Sequence, residues 1–143
     1  MSQKWLKLLG LCLVILLGVW YLNFDIAHAI EAQQLELQLE NYGFTGSIYN
    51  ELPKLATLYH QRLNKYKQWK YRLDNETTSD KYDAEDKKLR EWFDKNVKEL
   101  HELFFNATML YESTYGCVAL RDFAIKNKFL DVIKENRTSF SCN

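Results

Sequence analysis

An uninterrupted apolar run near the N-terminus constrains this chain more than any other feature. Residues 5–24 read WLKLLGLCLVILLGVWYLNF, and only Lys7 and Asn23 among them are strongly polar. As a helix the run is about 30 Å long, which matches the hydrocarbon thickness of a bilayer. It is apolar on every side, which does not suit a core helix in so small a domain. Residues 1–24 are therefore predicted to be a membrane anchor or an export signal.

The charges around this run predict its orientation. Lys4 and Lys7 lie at its start, whereas acidic residues, beginning with Asp25, follow it. Positive charge is retained on the cytoplasmic side of a span. We therefore expect the N-terminus in the cytoplasm and residues 25–143, as one domain, outside it.

Two interpretations of the run remain open. Trp5 and Trp20 stand near its two ends like an interfacial aromatic belt, which favours a signal anchor that stays in the membrane. Residues 27–29, Ala-His-Ala, fit the small-x-small pattern of signal-peptide cleavage. Cleavage after Ala29 would leave a secreted or periplasmic chain that begins at Ile30. Both interpretations place the rest of the chain outside the cytoplasm.

The remainder of the chain has the pattern of helices. It contains few helix breakers, since the whole chain has one proline and five glycines. Apolar residues recur every three or four positions in about 50–73, 80–113 and 117–135, and a Leu-rich polar stretch at 27–41 indicates a further helix. We predict an all-α fold, a compact antiparallel bundle of three to four helices preceded by the hydrophobic N-terminal helix.

Local signals predict where these helices begin and end. Asn50 can cap the second helix, with Pro53 in its first turn. Gly116 is suited to end the third helix. Asn127 and Lys128 are the candidate break that would divide the last helix in two.

The cysteines predict one disulfide bond. Cys12 lies in the apolar run, which leaves Cys117 and Cys142 as the pair in the exported part. Such a pair forms a disulfide in an oxidising compartment, and closing a loop of about 25 residues stabilises the fold by on the order of 3 kcal/mol. Two unpaired thiols and an interchain bond through Cys142 are the alternatives.

Three N-x-S/T sequons follow the run, at Asn75, Asn106 and Asn136. They would be surface glycan sites in a eukaryotic secretory protein and carry no meaning in a bacterium. The source of the protein and the use of these sites stay undecided from the sequence.

Motifs of catalysis and of metal or cofactor binding are missing from the sequence. His101 and Glu102 begin like the zinc motif H-E-x-x-H, but Phe105 stands where the second histidine belongs. There is no Glu-x-x-His pair, no Cys-x-x-Cys and no G-x-S-x-G element. We predict a protein that is not an enzyme and needs no cofactor or metal.

Charge is distributed unevenly along the chain, although the net charge is zero. Residues 54–73 hold six basic and no acidic residues, whereas residues 74–112 hold eleven acidic and six basic residues. Two paired helices with complementary faces would explain this contrast without a partner. A contact surface for a partner is the other interpretation, and its candidate residues are Lys65, Lys67, Lys70, Tyr71 and Arg72.

The sequence therefore favours a non-enzymatic protein–protein binding module that acts outside the cytoplasm, as an inhibitor, an immunity protein or an adaptor. Its expected partner is another protein, together with the membrane through residues 5–24 if they are not cleaved. Nucleic acid is not expected, because no overall positive field attracts it. A single-pass accessory subunit of a membrane complex and an enzyme without a recognisable motif are the alternatives.

Overall fold

The structure, a computed structural model, describes residues 3–142 apart from the side chain of Phe24. Residues 1, 2 and 143 of the predicted ranges lie outside this description. The described part contains helices and no strand, so the all-helical prediction is confirmed. The helices are α1 (Gln3–Glu40), α2 (Ile48–Glu76), α3 (Ser79–Phe93), α4 (Glu99–Tyr115), α5 (Cys117–Lys126) and α6 (Leu130–Asn136).

Helix α1 runs without a break from the apolar run into the folded domain. It has 38 residues and is therefore about 57 Å long. Its most apolar stretch is not buried anywhere in the structure, and the helix is long and apolar enough to cross a membrane. Near its other end, Leu35 and Leu39 are buried in the core. The predicted boundary between residues 24 and 25 thus falls inside one continuous helix.

Helix α2 begins earlier than the sequence suggested. Its N-cap is Ser47, whose hydroxyl accepts a hydrogen bond from the backbone N–H of Asn50 at 3.2 Å. The expectation that Asn50 is the cap is therefore wrong, because the chain leaves the preceding loop and turns helical at Ile48. Pro53 consequently stands in the second turn rather than the first.

Helices α3 and α4 form one helical run that contains a π-helical turn at Asp94–Lys98. A π-turn leaves backbone groups out of the usual helical pattern. The guanidinium of Arg62 on α2 donates to the carbonyl of Asn96 at 3.0 Å.

The run ends at Gly116, with φ of 97°, and Lys128, with φ of 62°, lies between α5 and α6. The helix end at Gly116 and the break at Lys128 both agree with the prediction.

The main core lies where α1, the first half of α2, α4, α5 and α6 meet. Tyr59 on α2 stacks on Phe104 of α4 with ring centroids 5.5 Å apart. Helix α5 folds back along α4, so that Phe123 stacks on Tyr111 at 5.0 Å. The largest fully buried side chains of this core are Tyr59, Phe104, Leu39, Ile48, Leu52, Leu55, Leu100, Leu103, Leu110 and Leu120.

The second half of α2 pairs with α3 in a helical hairpin that extends beyond the main core. Leu73 and Leu89 are buried between the two helices but are not members of the main cluster. Trp69 and Trp92 contact each other across the hairpin, with ring centroids 6.0 Å apart. The hairpin is therefore held by a small core of its own.

Candidate partner-binding surface

Two of the five predicted contact residues are used inside the hairpin. The ammonium of Lys70 lies 3.8 Å from the carboxylate of Asp86 on α3 and donates to the hydroxyl of Tyr82 at 3.3 Å. That hydrogen bond, together with nearby Asp74, raises the pKa of Lys70. The ammonium of Lys65 lies 5.2 Å from the ring centroid of Trp92. The positions of these two lysines agree with the first interpretation of the charge pattern, in which residues of α2 and α3 complement each other within the chain.

The other three residues lie on the outside of α2. Lys67 is 3.8 Å from the carboxylate of Glu135 on α6, and its side chain is still about half exposed. Tyr71 is 67% exposed. Arg72 is exposed, and within residues 3–142 it has no ion-pair partner.

Lys67, Tyr71 and Arg72 share an open depression of about 330 Å³ with Gln68 and Glu76. We call these five residues the outer groove. An exposed tyrosine ring offers apolar area with a polar tip, and a guanidinium pairs with carboxylates through two parallel hydrogen bonds. Tyrosine and arginine are also the residue types enriched where binding energy concentrates in protein interfaces. The groove is therefore suited to an acidic side chain next to an apolar one.

A partly buried polar network that the sequence did not reveal joins α2, α4 and α6. The hydroxyl of Tyr59, which is 1% exposed, lies 2.8 Å from Nδ1 of His101. Nδ2 of Asn136 donates to the same hydroxyl at 3.1 Å. Burial lowers the pKa of His101 and raises that of Tyr59. Each polar group thus has a partner, which is what burial requires.

This network distinguishes Asn136 from the asparagines of the other two sequons. Asn75 and Asn106 have exposed side chains. The amide of Asn136 is instead committed to the hydroxyl of Tyr59. A glycan on Asn136 would have to be accommodated at this partly buried contact. The amide of Asn75, which donates to the backbone carbonyl of Tyr71 at 2.8 Å, and that of Asn106 lie on the surface of the folded chain.

Cys117 and Cys142, the two cysteines outside the apolar run, are close together in space. Cys117 and Cys142 are disulfide-bonded, with Cα atoms 5.7 Å apart. The bond ties the C-terminal tail to the first residue of α5. Cys12 remains an unbonded thiol on the exposed apolar run. Within residues 3–142, no cluster of three or more histidine, cysteine, aspartate or glutamate side chains has an arrangement that could hold a metal ion.

No family model, no curated protein and no solved structure matches this chain.

Proposed function

We propose that this protein is a non-enzymatic protein-binding module that α1 holds at the outer surface of a membrane. The observation that carries the proposal is the continuity of α1, which passes from the apolar run into the core and buries Leu35 and Leu39 there. A span that shares one helix with the domain keeps that domain at a set distance from the bilayer. In this arrangement the N-terminus lies in the cytoplasm and the domain lies outside.

The same continuity favours an anchor over a cleaved signal peptide. Ala27, His28 and Ala29 are helical within α1. A peptidase takes its substrate in an extended form, so cleavage after Ala29 requires this part of α1 to unwind. The Cys117–Cys142 bond fits a domain in an oxidising compartment in either case.

The domain serves in this proposal as a compact antiparallel bundle from which the hairpin projects. Tyr49, near the start of α2, packs against Tyr115 at the end of α4, whereas Tyr66, further along α2, packs against Phe93, which precedes α4. Helix α2 therefore runs antiparallel to α4. Tyr71 lies 23 residues beyond Ile48, which carries the outer groove about 35 Å along α2.

The proposed partner is a protein that presents an acidic side chain beside an apolar one. Most basic residues of α2 already have partners within the chain, as Lys67 and Lys70 show. The overall positive charge of α2 is therefore not what binds the proposed partner. Arg72 and the exposed ring of Tyr71 are the groups left for an external ligand. Inhibitors, immunity proteins and adaptors all act by binding a partner without catalysing a reaction.

A pair of double variants tests the outer groove. The test variant is Tyr71→Ala with Arg72→Glu. The matched control is Ile125→Ala with Lys126→Glu, because Ile125 and Lys126 are also an exposed apolar and basic pair, on α5. Each tagged chain is expressed in the native host, extracted in mild detergent, and its co-purifying proteins are identified by mass spectrometry.

We expect a stoichiometric partner with the unaltered chain and with the control, and loss of that partner with the groove variant. Retention of the partner by the groove variant would remove the groove from the proposal. Lys70 is left unaltered, because its reversal would place a carboxylate beside Asp86 and disturb the hairpin itself.

An accessory subunit of a membrane complex is the second candidate, and the surface of α1 is the observation that favours it. The large apolar side chains along the run are about half or more exposed, and Gly10 and Gly18 have open space around them. Small residues on a span permit close contact between helices. Replacing residues 5–24 with an unrelated apolar span separates the two candidates. Loss of integral membrane partners would support the subunit, and unchanged partners would support binding through the domain alone.

A further inference from the structure

The length of α1 places its middle at the surface of the bilayer. If Trp5 marks the inner edge of the hydrocarbon, about 20 helical residues cross its roughly 30 Å and end near residue 24. The outer headgroup layer adds about 5–7 Å, or about four helical residues. Residues 25–29 of α1 therefore lie at the depth of the headgroups, provided that α1 is the anchor proposed above.

The end of α4 lies beside this part of α1. Ser113 and Thr114 share a depression of about 460 Å³ with Asp25 and His28. At the far end of α1, Gln38 and Asn41 instead share a depression with Glu99 and Glu102, near the beginning of α4. Helix α4 thus runs antiparallel to α1, towards the membrane, and the first residues after Thr114, before α5 folds back along α4, lie at or below the depth of the headgroups.

The turn from α4 to α5 carries no charge, and it exposes an aromatic and an apolar side chain. Residues 115–118 read YGCV and carry no charge. Tyr115 is 56% exposed and Val118 is 49% exposed. The ring of Tyr115 is held by contacts with Tyr49 and Tyr111, whose centroids lie 5.3 Å and 4.9 Å away. A positioned tyrosine with an apolar neighbour is the residue pattern of the membrane–water interface.

We propose that this turn, residues 115–118, docks into the outer headgroup layer of the bilayer next to α1. The occupant of the apolar surface is lipid, because the turn continues the membrane contact of α1 and offers no charge to a protein or nucleic-acid ligand. The domain then contacts the membrane at two places, α1 and the turn. Two contacts fix its tilt, and the hairpin with the outer groove points away from the bilayer.

Photo-crosslinking to lipid tests the docking on the full chain. The photoreactive residue p-benzoylphenylalanine replaces Tyr115 in one variant, Val118 in a second, Tyr71 in a third and Leu13 in a fourth. Each is reconstituted in phosphatidylcholine nanodiscs, irradiated, and searched for lipid adducts by mass spectrometry. Tyr71 is the matched control, because it is a tyrosine at least as exposed as Tyr115 but far along the hairpin.

We expect lipid adducts at Leu13, Tyr115 and Val118, and none above background at Tyr71. Adducts at Leu13 without any at Tyr115 and Val118 would overturn the docking and leave the anchor intact. Absence of adducts at Leu13 would overturn the anchor itself and the docking with it. Equal adducts at Tyr71 and Tyr115 would also overturn the docking, since the domain would then lie flat on the bilayer. Thiol labelling confined to Cys12 shows that each variant has folded with its disulfide.

Discussion

The hydroxyl of Tyr59 and Nδ1 of His101 lie 2.8 Å apart in a partly buried position beside the core. They come from α2 and α4, and Asn136 of α6 bonds to the same hydroxyl. Three helices that are distant in sequence are therefore joined at one polar point. A satisfied polar network beside an apolar core favours one packing arrangement over others, because any other arrangement leaves its members without partners.

Removal of the hydroxyl should weaken the fold. In the Tyr59→Phe variant, the partly buried side chains of His101 and Asn136 lose a hydrogen-bond partner, which should lower the free energy of unfolding by about 0.5–1.5 kcal/mol. The matched control is Tyr71→Phe, since the hydroxyl of Tyr71 is in solvent and its removal leaves no buried group unpaired. Urea unfolding of the full chain in mild detergent, followed by circular dichroism, gives both values. Equal stability of the two variants would contradict the role of the network.

His101 makes the stability depend on pH. Burial lowers its pKa in the folded chain below the usual 6.5, although nearby Glu102 opposes this in part. As the pH falls below 6.5, the unfolded chain binds a proton on this side chain before the folded chain does. The contribution of neutral His101 is therefore complete above the unfolded pKa and is lost progressively below it.

We expect the free energy of unfolding to decrease as the pH is lowered from about 6.5, the usual histidine pKa, towards the lower pKa of folded His101. The His101→Gln variant, measured by urea unfolding over the same range, should show a smaller fall. An identical pH dependence in the two proteins would assign the effect to other groups.

Two neighbouring leucines on α1 test whether this helix belongs to the domain core. Leu39 is 0% exposed, and Leu39→Ala should lower the free energy of unfolding by about 2–5 kcal/mol. Leu37, two residues earlier, is 59% exposed, and Leu37→Ala should change it by no more than about 0.5 kcal/mol. Both substitutions leave the apolar run unchanged. Similar values for the two variants, by urea unfolding in detergent, would mean that the end of α1 does not pack against the domain.

The disulfide can be tested against the third cysteine. Cys117 and Cys142 are separated by 25 residues, and replacing both with serine should cost on the order of 3 kcal/mol through the freed loop. Cys12→Ser is the control, because Cys12 has no bonding partner in the structure. Thiol labelling of the oxidised chain should modify Cys12 alone before reduction. Labelling of all three cysteines without reductant would contradict the bond.

Local patterns in the sequence were sufficient for the class of fold and for several helix ends. The three- and four-residue spacing of apolar side chains predicted helices, because that period places them on one face of a helix. Gly116 and the break near Lys128 were predictable because each depends on the backbone preference of one or two residues. The cap of α2 was mispredicted as Asn50, since Ser47 and Asn50 are both good capping residues and the path of the preceding loop chooses between them.

The candidate surface was predictable only as a stretch of basic and aromatic residues. Lys65, Lys67 and Lys70 are alike in sequence, yet one lies over Trp92, one near Glu135 and one near Asp86. These acceptors are supplied by α3 and α6, whose positions around α2 no local pattern of α2 contains. Which residues form the outer groove therefore depends on how α3 and α6 pack around α2.

The sequence by itself determined that this chain is helical, that it begins with a run able to cross a membrane, and that two of its cysteines are suited to pair. Each of these depends on residue type and on spacing along the chain. The tertiary structure decided that α1 continues into the core, that Asn136 contacts Tyr59, and that Arg72 has no ion-pair partner among residues 3–142. These depend on contacts between residues tens of positions apart, which only the packing of complete helices brings together.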